Sequence, residues 1–340
     1  MSEGMPSLNG EELEKTRQFK APDNIITSGI SERELSDHDL IDQGAEWQNL
    51  EIDSPWLFVP NDIQNRIKHY EPKLISGRHN WYKLGTAPVA ITAPHALTPT
   101  EYELTRIQSL NIEKGFSDKK IRDHYDGYTG SMALTLADSQ ANIFISRRPR
   151  TVIDQNRAPG TMGTDTRLTG RKEEIAGDRL NSQSLSEYFS LLKNSIENSV
   201  GLDSEGKAQK PFLVISLHGL ANYESENEGA DIILGARKFN SASEKMINWL
   251  ITRIRQMGIS IDFENSGHRK KFTGTRVLEI ARDGDESLGF SGLGDNIQVV
   301  QMEVVARVRK NKERRKQLGN ILAQIIDEFS QQFPDSESLR

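Results

Sequence analysis

Short apolar runs alternate with amphipathic stretches along most of the chain. The runs 87–94 (APVAITAP), 142–146 (NIFIS), 150–154 (RTVID), 211–217 (PFLVISL), 231–235 (DIILG), 259–263 (ISIDF) and 296–305 (NIQVVQMEVV) are rich in β-branched residues and predict buried strands. Between them, residues 128–139, 180–199, 241–257 and 310–332 carry helical spacing. In the last of these, Leu318, Ile321, Leu322, Ile325, Ile326 and Phe329 recur every three or four residues and so share one face. Strands alternating with helices predict an α/β fold, a mostly parallel or mixed central sheet flanked by helices. Two segments, 155–180 and 264–296, are rich in Gly, Thr, Asp and Arg without periodicity; loops of that length in a compact domain are commonly functional. Residues 1–54 mix both charge signs without an apolar pattern and read as a flexible or loosely docked lead segment. That leaves 55–335 as a single catalytic α/β domain.

Composition narrows the chemistry. The 340 residues are 35% hydrophobic, enough for a sizeable core. A formal charge of -6 gives no global attraction to nucleic acid or an anionic membrane, and the basic runs GHRKKF and RKNKERRK read as solvated faces or loops. The absence of cysteine excludes disulfides, thiolate metal sites and a cysteine nucleophile, so any metal must be held by His, Asp or Glu. No basic leader followed by an apolar stretch occurs, nor any run of about 18 apolar residues, which predicts a soluble cytoplasmic protein.

Open α/β sheets bind ligands at the carboxyl ends of their strands, so the residues after each apolar run are the candidates for chemistry. His95 follows the first run. His218 follows LVISL, at the predicted strand tip, with Gly219 letting the backbone turn away. The 150–154 run ends in DQNR, giving Asp154, Asn156 and Arg157. Glu303 stands among Val299, Val300, Met302, Val304 and Val305, where a carboxylate needs a partner or a role. Two histidines at two strand ends, completed by a carboxylate lying between them in sequence, can hold one cation with an open position. Such an ion activates water for attack on an amide carbonyl, and Glu303 is placed to move the proton.

The ordered set APHA, RDHYDGYTGSMALTLADSQANIFISRRPRTVIDQNR, VISLHG with DIILG, and VVQMEVVARVR resembles the N-formylglutamate amidohydrolase family, within the wider zinc-carboxypeptidase-like group. The resemblance spans roughly residues 88–330. It implies that architecture, one zinc ion per chain, His95 and His218 as ligands and Glu303 as the catalytic carboxylate. It makes Asp126 the favoured acidic ligand, with Glu101 the second choice and Asp123 and His124 close by. It assigns Arg150 and Arg157 to a substrate carboxylate, which a guanidinium can grip bidentately, and Asn156 to the substrate backbone. The implied partner is a small N-acyl amino acid or short peptide, and the oligomeric state is left open. Two rival readings stand beside it. One is a carboxypeptidase or poly-γ-glutamate-type hydrolase built on the same constellation; the other is a metal-free binding module.

Overall fold

The computed structural model describes residues 74–76, 79–96, 126–146, 154–156, 171–220, 229–264 and 276–340. The lead segment and residues 97–125, among them Glu101, Asp123 and His124, lie outside the described residues, as do Arg150 and Arg157.

Eight described strands form one sheet: β1 (Ile75–Ser76), β2 (Asn80–Lys83), β3 (Val89–Ala93), β4 (Asn142–Ser146), β5 (Phe212–Leu220), β6 (Ile232–Gly235), β7 (Ile261–Phe263) and β8 (Ile297–Val305). Their order is β1-β2-β4-β3-β5-β8-β6-β7. The four central strands β4, β3, β5 and β8 run parallel, while β2 and β6 pair antiparallel to them at either side. The parallel core explains the unbroken apolar runs. Strands covered on both faces have no solvent side to alternate toward, and every residue of β3, β4 and β8 is buried.

The helices are α1 (Thr129–Leu134), α2 (Arg171–Val200), α3 (Glu244–Gln256), α4 (Val277–Asp283), α5 (Ala306–Lys310) and α6 (Lys312–Gln332). Leu185, Phe189, Leu192 and Ile196 of α2 join Val277, Leu278, Ile280 and Ala281 of α4 in a buried cluster with Phe144, Val214 and Val299 of the sheet. The predicted face of α6 is buried throughout, from Leu318 to Phe329, and α3 packs on α6 through Trp249 against the rings of Phe329 and Phe333. Caps set where these helices begin. Ser243 accepts a hydrogen bond from the Met246 amide ahead of α3, and Asn311 accepts from Glu313 and Arg314 ahead of α6.

Residues 150–153 of the predicted run 150–154 lie outside the described residues. Two details depart from the sequence pattern. The segments 155–180 and 264–296 are not loops throughout: α2 begins at Arg171 and α4 occupies Val277–Asp283. And β5 does not stop at His218; it continues through Leu220, so Gly219 is a strand residue. Its missing side chain has another reason, since a Cβ there would lie 2.6 Å from the guanidinium carbon of Arg309.

Candidate metal centre

The parallel strands β3, β5 and β8 are neighbours, and their carboxyl ends meet at one edge. His95 follows β3 by two residues. His218 lies near the end of β5, and Glu303 is its registered partner on β8. Side chains registered across neighbouring strands project from the same face, so the histidine and the glutamate stand side by side. Asp126 comes from a different kind of segment, the turn that opens α1. Its amide donates to the His95 carbonyl at 2.9 Å and its carbonyl accepts from the Thr129 amide and hydroxyl at 3.1 and 2.8 Å. Tyr128 adopts a left-handed conformation at φ 71°, which turns the chain from Asp126 into the helix.

The structure brings His95, Asp126 and His218 together, all buried, with one ligand atom from each within 4.8 Å of the others. Asp126 Oδ2 is 3.2 Å from His95 Nδ1 and 3.1 Å from His218 Nδ1. Four-coordinate zinc with bonds of about 2.0 Å separates its ligand atoms by roughly 3.3 Å, so these spacings match a tetrahedral edge. The two rings meet edge to face, with centroids 4.9 Å apart.

The outer nitrogens carry the second half of the argument. His95 Nε2 lies 2.7 Å from Asp154 Oδ1, and His218 Nε2 lies 3.1 Å from Ser216 Oγ. Both ring nitrogens of His95 therefore face carboxylate oxygens. Protein groups alone satisfy that arrangement only if the ring is a doubly protonated imidazolium. With a cation on Nδ1, one proton on Nε2 donating to Asp154 is enough, the usual pattern of a ligating histidine held by an outer carboxylate. Asp154 Oδ1 also accepts from the Asn156 amide at 3.0 Å, tying the predicted substrate-binding segment to the histidine.

Burial pushes the Asp126 carboxyl up, but hydrogen bonds from His218 and His95, together with their charge, outweigh it and hold the group well below the usual carboxylate range. Asp126 is an anion at any working pH, as a metal ligand must be. Glu303 is shifted the other way. Burial raises its carboxyl, and the Asp126 charge adds to the rise against the pull of His218. Two buried carboxylates whose surroundings drive them apart divide into a fixed anion and a proton-exchanging group. Gln301, two residues back on the same face of β8, donates through Nε2 to Glu303 Oε1 at 2.6 Å. Gln301 Oε1 is buried without a hydrogen-bond partner among the described residues.

Asp154 stood among the sequence candidates without an assigned task, whereas Ser216 and Gln301 had no role in the sequence pattern. Strand period was the available signal for two of them, because it sets Ser216 beside His218 and Gln301 beside Glu303. No helix among the described residues is long and apolar enough to cross a membrane.

No family model and no curated relative matches the sequence. Solved structures do resemble the fold. An N-formylglutamate amidohydrolase from Ralstonia eutropha superposes with a TM-score of 0.53 at 15% identity, over 74% of this chain and 98% of that one. A gene product from Agrobacterium tumefaciens gives a TM-score of 0.51 at 13% identity, over 77% of this chain and 97% of its own. At such identities the likeness establishes a shared α/β architecture.

Proposed function

We propose that the chain is a zinc-dependent amidohydrolase that cleaves the amide bond of a small N-acyl amino acid, an N-formyl amino acid among them, or of a related carboxylate-bearing substrate. The observation that carries this reading is the buried His95–Asp126–His218 cluster, in which two imidazole nitrogens converge on one carboxylate oxygen. These three residues would hold the ion, through Nδ1 of each histidine and Oδ2 of the aspartate. Bound there, zinc supplies a Lewis acid that polarises the scissile carbonyl and makes water nucleophilic near neutral pH.

The protein's own groups do the rest. Glu303, raised by burial, takes the proton from the attacking water and returns it to the departing amine. Gln301 fixes that carboxylate by its 2.6 Å hydrogen bond and leaves Oε1 free to accept from a substrate N–H. Arg150 and Arg157 are assigned to the substrate carboxylate, and Asn156, on the same stretch of chain, to the substrate backbone.

Purified protein is expected to carry one zinc per chain by elemental analysis and to release free amino acid from N-formyl or other N-acyl amino acids. Chelation abolishes the activity and zinc restores it. Protein that takes up no metal after incubation with zinc would end the hydrolase reading. Faster cleavage of an oligo-γ-glutamate than of any single N-acyl amino acid would instead favour the poly-γ-glutamate-type alternative.

Asp154 adds a graded test. Outer-shell partners of ligating histidines are typically worth about 10- to 100-fold in metal affinity. Asp154→Asn is therefore expected to weaken zinc retention in a competition titration by that amount while leaving the fold intact. An unchanged affinity would show that the 2.7 Å contact to His95 does not orient the ring.

A further inference from the structure

Arg309 sits in α5, six residues beyond Glu303, and is buried although it carries a full charge. Nε and both Nη atoms of its guanidinium each reach a backbone carbonyl, on three separate segments. Nε donates to Val304 at 2.8 Å, one Nη to Gly127 at 2.5 Å and the other Nη to Leu220 at 3.0 Å. Gly127 directly follows Asp126, Val304 directly follows Glu303, and Leu220 stands two residues after His218. One side chain thus grips the backbone beside two of the three cluster residues and beside the proposed base.

Two further observations belong to the same arrangement. A Cβ at position 219 would fall 2.6 Å from Cζ and 2.9 Å from each Nη of Arg309, so a methyl group there would displace the guanidinium. The glycine after His218 is therefore explained by the guanidinium beside it. The neighbouring Arg315 donates to the Arg309 carbonyl at 2.5 Å and lays its own guanidinium 4.6 Å from the centre of the Tyr128 ring, on the turn that bears Asp126.

We propose that Arg309 is a positioning residue of the catalytic centre, a clamp that fixes the spacing of Asp126, His218 and Glu303 by holding the carbonyls of Gly127, Leu220 and Val304. The planar fork suits this task because its donors point in fixed, diverging directions. An ammonium group is a single point on a flexible stem and cannot span three carbonyls in one plane. Such a device matters because the cluster is assembled from a turn and two strands with no covalent tie between them, and sub-ångström spacing decides whether ligand atoms suit a cation.

The proposal rests on the hydrolase reading only for its metal arm, and the test is built to separate the two. Arg309→Lys removes the fork and keeps the charge. Gly219→Ala keeps the arginine and drives its head group out of place. Leu322→Ala, in the buried face of α6, serves as a control for lost stability alone. Histidine side-chain 15N spectra of the metal-free proteins report on the cluster directly, and cobalt titration reports affinity and coordination through the visible absorption bands. Arg309→Lys and Gly219→Ala are expected to shift the His95 and His218 resonances and to weaken cobalt binding by about tenfold or more, the size expected for loss of a supporting partner. Leu322→Ala should leave both readouts as in the wild type. Partial recovery of the spectra in Arg309→Ala on adding guanidinium ion would further support the clamp. Wild-type imidazole spectra in both clamp variants, or an equal shift in the control, would overturn it. A wild type that binds no cobalt defeats the hydrolase reading while the imidazole spectra still decide the role of Arg309.

Discussion

Glu303→Gln is expected to lower kcat roughly a thousandfold, within the range that a positioned general acid–base supplies. KM and zinc content should stay near the wild-type values, because the side chain is assigned to the proposed proton transfer and not to the proposed ligand set. The substitution is also expected to leave the protein folded. Burial already disfavours the charged form of Glu303, and an amide of the same shape can still accept the hydrogen bond from Gln301. Steady-state kinetics beside elemental analysis checks both halves of the expectation. Undiminished turnover would remove Glu303 from the mechanism.

A larger loss is expected on replacing Asp126. Its Oδ2 is the one atom that both Nδ1 atoms approach, at 3.2 and 3.1 Å. Asp126→Ala removes the only anion of the ligand set and leaves two buried imidazoles facing each other across the gap. Zinc affinity should fall by more than about 100-fold, beyond what the loss of an outer partner costs. Activity at stoichiometric zinc should disappear with it. Equilibrium dialysis against a zinc buffer reads the first quantity and amide cleavage the second. If zinc remained bound with wild-type affinity, the acidic ligand would have to be sought elsewhere, with Glu101 the next residue to replace.

The elements legible in the sequence are those whose pattern is local. The run 142–146 coincides with β4 residue for residue, and the three- and four-residue spacing from Leu318 to Phe329 returns as the buried face of α6. What escaped has equally physical reasons. β1 is two residues long, and β2 reads Asn-Trp-Tyr-Lys, with no apolar run to mark it. The first turns of α2, Arg-Lys-Glu-Glu-Ile-Ala-Gly-Asp, read as a charged loop because they hold only two apolar residues, too few to show a helical period. His95, His218 and Glu303 were visible because each interrupts or ends a pattern, whereas Asp126 was singled out only by the family resemblance. Their partners were not marked as such. The contacts from Asp154 to His95 and from Arg309 to Gly127 join positions far apart in the chain, and such a meeting leaves no periodic trace on either side.

The order of the strands has a consequence for how the protein is made. β8 is the last strand in the chain, yet it lies between β5 and β6, which precede it by many residues. Among the described strands, β8 alone joins β6 and β7 to the rest of the sheet, by pairing with β5 on one side and β6 on the other. Pairings this distant in sequence form late and slowly, because loop closure is paid before any contact rewards it. An unpaired apolar strand edge of this kind is a template for pairing with other chains, so β8 closes the place in the sheet most open to misassembly. Glu303 and Arg309 lie on or just after this strand, so the candidate site is complete only once β8 has paired.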